Sequence, residues 1–467
     1  MNTRIKYLGK NLGILTISNF ASKILVFLLV PLYTSVLSTQ DFGVYDLVVS
    51  TIALIYPIVT LNVIEAVVRF LLEDLKYKED IAYLCSRTLI ISLIPVAAFL
   101  TFNRVVGYCD VINGLEIYIA FYYTFFIVNQ FLIQYAKGND RFWDMGIAGV
   151  IGTIIMIFTN ILFLIVLHVG LRGFFTANIL SQLIPSTYLF IRLKFWNSFS
   201  KGHNNRQLFK EMLMYCMPLT AVTLGWWVNN ASDKYVVTAM CGVAANGLLS
   251  VSYKIPQIIS TLQTIFTQAW QISAIKEYGE RDTAHFYGRT FNVINVLICA
   301  ACSWLIILTK PLAHILYQKE FFMAWQYVPL LIVSCVLNSA SGFLGPILSA
   351  KKASKSMAMS AVYGASANVV MNILFVYLVG IQGATIATVI SSFIIYAVRK
   401  RVVGDEIKIE GYGIVLITWG LLCVQAILEI YTPFWWLEVI LIAVMLILNW
   451  NGLKSIMGMC KSLVMRR

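Results

Sequence analysis

Apolar runs long enough to cross a bilayer recur through this chain from one end to the other, and no other feature limits its fold as severely. At a rise of about 1.5 Å per residue, roughly 20 apolar residues cover the roughly 30 Å of hydrocarbon. The backbone finds no water there, so a spanning segment must be a helix or part of a closed barrel. Alternating ten-residue segments of the kind that build barrels are absent. The expectation is an all-α, polytopic membrane protein. With 59% hydrophobic and 12% charged residues over 467 positions, the chain lacks the polar surface of a soluble globule.

Hydropathy and breaks place spans near residues 12–37, 43–70, 83–103, 115–135, 145–168, 172–192, 213–240, 246–272, 288–309, 323–348, 357–379, 382–398, 412–431 and 434–450, fourteen in all. The first follows Arg4, Lys6 and Lys10, is too long for a signal-peptide core and lacks a small-residue cleavage site, so it reads as retained. Assigning loops to alternate sides puts 28 of the 35 Lys and Arg residues on one side, including four at 399–408, and leaves Arg104, Arg172, Lys310 and Lys319 on the other. Positive charge collects on the cytoplasmic side, so both termini are expected there. The formal charge of +13 is thereby explained without a nucleic-acid partner.

Chemistry of the enzymatic kind finds no foothold. The nine cysteines lie mostly inside spans, and Cys299-Ala-Ala-Cys302 has no second pair to complete a metal site. His168, His203, His285 and His314 are scattered, and no phosphate-binding loop or dinucleotide fingerprint appears. The largest loop, 193–212, is basic and too short for a catalytic domain, and Asn230-Ala-Ser232 is a glycosylation triplet buried in a span. No catalytic residue, metal or cofactor is expected. Transport would run on an ion gradient, the membrane potential or substrate supply.

The chain repeats itself. Residues 160–182, NILFLIVLHVGLRGFFTANILSQ, match 372–392, NILFVYLVGIQGATIATVISS, once two residues are dropped: both read Asn-Ile-Leu-Phe, then Val-Gly-x-x-Gly, then Ala177 or Ala387 and Ser181 or Ser391. Ala136-Lys137 and Ala350-Lys351 precede them at similar distances, and Gly43 pairs with Gly247. These offsets set spans 1–6 against spans 7–12. Each unit crosses an even number of times, so the copies share one orientation, a transporter plan. The expected organisation is a six-helix bundle at 1–192, a basic linker at 193–212, a second bundle at 213–398, and two added helices with a basic tail at 399–467.

Polar residues inside the spans are the candidate site. Residues 229–268 are apolar enough for two spans yet carry Asp233, Lys234 and Lys254. Each such charge costs about 2.5 to 3.5 kcal/mol on insertion scales, so it faces protein or a water-filled cavity. In span 8, Lys254, Gln257, Thr261, Thr264 and Gln268 recur at three and four behind Pro256, which is expected to kink the helix. That stripe reads as a wetted wall or as interhelical hydrogen bonding. In span 7, Asn229 and Asp233 are four apart near Trp226 and Trp227, aromatic rings able to stack on sugars or simply to pack. In span 1, Thr16, Asn19 and Lys23 share a face, with Lys23 either binding an anionic head group or bonded to neighbouring carbonyls. In span 2, Asn62, Glu65 and Arg69 share a face, and Glu65 either pairs with Arg69 or serves as a proton or cation site.

Ser232-Asp233-Lys234-Tyr235, followed by Gly247 and Ser250-Val251-Ser252-Tyr253-Lys254, resembles the bacterial polysaccharide flippase family, the Wzx-type exporters of lipid-linked oligosaccharides. The stretch SNFASKILVFLLVPLYTSVLSTQDFGVYDL is similar to that family's opening. Leu249 stands where the family usually has tyrosine, and Ser38 where it usually has glycine. The resemblance implies a MATE-like fold of two six-helix bundles with a cationic cavity, working by alternating access. The substrate it implies is an oligosaccharide on undecaprenyl pyrophosphate, with membrane lipids around it and polysaccharide polymerase and chain-length proteins as candidate partners. Lys23, Arg69, Lys234 and Lys254 would meet the diphosphate, Asn19, Gln257 and Thr261 would line the cavity, and Glu65 and Asp233 would couple transport to an ion. The competing expectations are a proton- or sodium-coupled multidrug antiporter, which would prefer acidic residues, a lipid II flippase, and a scaffold that transports nothing.

Overall fold

The computed structural model describes residues 25–454 apart from 26, 281, 451 and 453. Asn19 and Lys23 therefore lie outside the described residues. In chain order the α-helices are α1 Val30–Val36, α2 Thr39–Val59, α3 Val63–Glu73, α4 Lys78–Val106, α5 Glu116–Gly138, α6 Phe142–Asn160, α7 Leu171–Arg192, α8 Phe195–Lys201 and α9 Arg206–Cys241. They continue with α10 Val243–Ser252, α11 Lys254–Lys276, α12 Thr283–Ile307, α13 Thr309–Leu316, α14 Val328–Ala350, α15 Ser354–Val379, α16 Ile381–Val403, α17 Tyr412–Tyr431 and α18 Trp435–Leu448. No strand occurs among the described residues. The fold is all-α, as expected.

Ten helical segments among the described residues are long and apolar enough to cross a membrane: α2, α4, α5, α6 with its extension to Val166, α7, α12, α14, α15, α16 and α17. They correspond to spans 2–6 and 9–13. Span 14 is the shorter apolar helix α18. Spans 7 and 8 are α9 and the α10–α11 pair; α10 is apolar but short, α9 and α11 are not among the ten, and they carry Asp233, Lys234 and Lys254. The chain divides into two compact units whose boundary falls between Trp227 and Val228, inside α9.

Several local expectations change. Span 2 is not one helix: α2 ends after Pro57, and Leu61 and Asn62, both at φ 52°, turn the chain before α3. Pro57 withholds a helical N–H, and the left-handed pair completes the break. Ser38, the departure from glycine, caps α2: its hydroxyl accepts from the Asp41 N–H at 3.1 Å while the Asp41 carboxylate accepts from the Ser38 N–H. Span 8 breaks at Tyr253 rather than kinking at Pro256. Pro256 falls in the first turn of α11, where its missing N–H has no helical partner to lose. The supposed loop 193–212 contains α8, whose Phe195 packs edge-on against Phe131 and Tyr135. Arg399, assigned above to a cytoplasmic loop, is inside α16 and only 8% exposed, donating to Ser360 Oγ at 3.0 Å and the Ser341 carbonyl at 2.8 Å.

The repeated sequence takes the same backbone form twice. Gly170 adopts φ 64°, ψ −139° before α7, and Gly380 adopts φ 63°, ψ −144° before α16, a conformation essentially confined to glycine. Three residues on, a Cβ on Gly173 would lie 2.9 Å from the Phe163 Cβ, and one on Gly383 would lie 2.1 Å from the Phe375 carbonyl. Phe163 and Phe375 are the phenylalanines of the two Asn-Ile-Leu-Phe copies. The two extra residues of the first copy fall between Phe163 and Gly170, where α6 widens into a π-helix at Ile161–Val166 and His168 turns at φ 51°. Such a widening takes up inserted residues within a helix.

Candidate functional site

Asp233, on α9, is 4% exposed, and Tyr253, at the α10–α11 junction, donates its hydroxyl to the Asp233 Oδ2. The bond ties helices twenty residues apart in sequence at the point where span 8 breaks. Each partner is followed directly by a lysine, Lys234 and Lys254, both half-buried. The junction is seated from below. Leu249, fully buried, packs with Val237, Ala245, Val376 and Ala384, with Tyr253 against them. Tyr253, one turn after Leu249, supplies the hydroxyl.

A chain of hydrogen bonds runs beside Asp233. Ser232 Oγ donates to Asn368 Oδ1 at 2.8 Å, Asn372 Nδ2 donates to the same oxygen at 2.8 Å, and Asn368 Nδ2 donates to Ser391 Oγ at 3.2 Å. It connects α9, α15 and α16, and Asn368, Asn372 and Ser391 are all buried. The Asn372 Oδ1 is buried with no hydrogen-bond partner, and the Asn160 Oδ1, at the matching place in the first repeat, is in the same state. Neither Asn368 nor Tyr253 was singled out as a site residue from sequence. The signal was present in Asn368-x-x-x-Asn372, two amides on one face of an apolar span, and in Tyr253 four residues after Leu249.

The polar stripe of α11 faces away from its main packing partner. Gln263 Nε2 donates to the Cys335 carbonyl at 3.0 Å and Trp270 Nε1 to the Phe343 carbonyl at 2.9 Å, so that face meets α14. Gln257, Thr264 and Gln268 are exposed, and Thr261 is buried, donating to the Gln257 carbonyl at 2.8 Å. A side that leaves amides and hydroxyls uncovered suits water better than hydrocarbon.

On the first unit the expected stripe dissolves. Asn62 is fully buried, with both amide atoms unpartnered, whereas Glu65 and Arg69 are exposed. No ion pair joins Glu65 to Arg69 among the described residues; the Arg69 guanidinium instead lies 4.5 Å from the centre of the Tyr215 ring. Their spacing of four allowed a pair, but the flat cation gains more on an aromatic face. Trp227 Nε1 donates to the Ser50 carbonyl at 2.7 Å, which commits its polar end to packing. Asn229 is half-buried with its Oδ1 unpartnered. No group of three or more His, Cys, Asp or Glu residues suited to a metal occurs among the described residues.

With this geometry in view, the fold can be set against solved structures. It matches "Lipid II flippase MurJ, inward closed conformation" with a TM-score of 0.67 and 14% identity, over 94% of this chain and 99% of that one. It matches an inward-facing multidrug resistance MATE family transporter of the MOP superfamily with a TM-score of 0.65 and 14% identity, over 86% and 96%. A MOP superfamily transporter from Pyrococcus furiosus, described as having a binding pocket of reversed polarity, matches at 0.53 with 16% identity, over 90% and 94%. The chain thus has the polytopic helical fold of these flippases and transporters. The family model for "Polysaccharide biosynthesis protein" matches residues 8–271, and the chain belongs to that family. No curated protein matches it significantly.

Proposed function

We propose that the protein moves an oligosaccharide linked to undecaprenyl pyrophosphate from the cytoplasmic to the outer leaflet of a bacterial inner membrane, for surface polysaccharide assembly. The observation that carries this reading is the Asp233–Tyr253 junction with a lysine beside each partner. Two lysines stand beside one carboxylate there, so these three groups sum to a positive charge and the region suits an anionic substrate such as a diphosphate. Family membership supports a role in polysaccharide assembly.

In this account Lys234 and Lys254 draw the diphosphate, the uncovered stripe at Gln257, Thr264 and Gln268 offers hydrogen bonds to sugars, and Thr261 shapes that face. Arg69 supplies a further cation on the first unit, and Lys23 and Asn19 extend the set on sequence grounds alone. The polyprenyl tail stays in lipid. Asp233 is the coupling carboxylate, because its protonation or cation occupancy alters the bond that holds the α10–α11 junction; Glu65, exposed and unpaired with Arg69, is the second candidate. Both termini are cytoplasmic, and polymerase and chain-length proteins receive the product.

The test is a deletion strain complemented with wild type or with Lys254→Ala. Loss of surface glycan, with lipid-linked intermediate accumulating on the cytoplasmic side and only wild type restoring export, supports the reading. Intact glycan with new sensitivity to cationic dyes contradicts it in favour of drug antiport, and failure of cell-wall synthesis points to lipid II.

A further inference from the structure

Helices α17 and α18 lie outside the two six-span repeats, yet they bury two carboxyls where an added helix pair needs none. Glu429 on α17 is 5% exposed and Glu438 on α18 is 2% exposed. Gln425, one turn before Glu429 on the same face, donates its Nε2 to Glu438 Oε2 at 3.5 Å and to the Ser303 carbonyl at 3.0 Å, while its Oε1 accepts from Ser303 Oγ at 2.6 Å. Gln425 thus links the two acidic side chains, one turn from Glu429 along α17 and bonded to Glu438 on α18. Lys310 completes the cluster: its Nζ donates to the Glu429 carbonyl at 3.0 Å, stands 3.6 Å from Glu429 Oε1 and lies 4.5 Å from the centre of the Trp325 ring.

The charge count does not close. Two ionised carboxylates against one ammonium leave a net negative charge in a buried site, which desolvation penalises. Among the described residues the elements packed around them add no other cation: α14 carries no ionisable group except Cys335, the neighbouring part of α12 presents Ser303, and α13 presents Lys310. Glu429 Oε1 is moreover buried without a hydrogen-bond partner among the described residues. The Lys310 ammonium that faces it stands 3.6 Å away, beyond hydrogen-bond reach, so the acceptor lacks a donor that a proton in the cluster would supply.

We infer that Glu429 and Glu438, linked through Gln425, form a proton-binding site that holds one proton for the two carboxyls at neutral pH, thereby fastening the added helix pair α17–α18 to Lys310, Trp325 and Ser303. With the proton bound, the cluster is neutral: one carboxylate answers Lys310 and the other is an acid. Losing the proton puts two negative charges side by side and loosens the pair. This inference is independent of what the protein transports.

The test is the infrared spectrum of the purified full-length protein in detergent, titrated from neutral to alkaline pH. Wild type is expected to show a protonated-carboxyl stretch at neutral pH that is missing from Glu438→Gln, because Glu429 then ionises against Lys310. In Lys310→Met the same band is expected to persist to a proton activity lower by about tenfold or more, since removing the cation strengthens retention of the proton. A wild-type spectrum that already matches Glu438→Gln at neutral pH overturns the inference. Should Glu438→Gln not accumulate, Lys310→Met decides alone: an unchanged upper pH limit for the band overturns it equally.

Discussion

The hydroxyl of Tyr253 donates to the Asp233 carboxylate across twenty residues of sequence, closing the α9 helix against the break between α10 and α11. The two lysines of the region follow these residues directly, so one hydrogen bond fixes where both ammonium groups start from.

Removing one partner leaves the other buried and unsatisfied, at a cost of about 1 to 3 kcal/mol. Asp233→Ala is therefore expected to lower the thermal unfolding temperature of the purified protein more than Tyr253→Phe, which takes away the donor and leaves an acceptor beside the Lys234 N–H at 3.0 Å. Equal shifts, or none, would remove the junction from the account.

The Asn368 side chain bonds Ser232, Asn372 and Ser391, whereas Ser232 contributes one of those bonds. Interhelical hydrogen bonds in membrane proteins average about 0.6 kcal/mol, so Ser232→Ala should cost about that much. Asn368→Ala should cost two to three times more, as read from chemical unfolding in detergent.

Gly173 and Gly383 are the tight contacts of the two repeated hairpins, and they differ in severity. The Cβ of Gly383→Ala meets backbone at 2.1 Å, whereas that of Gly173→Ala meets the Phe163 Cβ at 2.9 Å. Backbone yields less readily than a side chain. Membrane abundance of Gly383→Ala is expected to collapse, with Gly173→Ala reduced but present.

The Arg69 guanidinium stacks on Tyr215, an interaction of about 0.5 to 1 kcal/mol at an exposed position. Tyr215→Leu should therefore change stability only slightly. If Arg69 serves the substrate, Arg69→Ala lowers export further than Tyr215→Leu does at equal abundance, measured as surface glycan.

What the sequence made legible follows from which physics acts locally. Hydrophobic length fixed the spans because the bilayer imposes it residue by residue, and α15 and α16 reproduce the spans at 357–379 and 382–398 closely. The Val-Gly-x-x-Gly repeat was legible because a Cβ is excluded at Gly173 and Gly383 in both copies. The break at Leu61–Asn62 was not, since hydropathy runs on through it and only Pro57 hinted at it. Helical spacing suggested a pair between Glu65 and Arg69, but the competing partner, Tyr215, lies far along the chain. Arg399 looked like loop charge for a related reason: the groups that satisfy it, Ser341 and Ser360, come from other helices. Spacing reports what one helix can bring together, and tertiary partners decide what it does.

The most direct test of the central claim is leaflet exchange in vesicles. Purified wild type and Lys254→Ala, matched for incorporation, are reconstituted with a lipid-linked oligosaccharide, and its accessibility to an external glycosidase is followed. The account predicts that wild type exposes the inner-leaflet pool, that Lys254→Ala does so far more slowly, and that Lys254→Arg recovers part of the rate. Exchange at the same rate with and without the protein, or a Lys254→Ala rate equal to wild type, would contradict it.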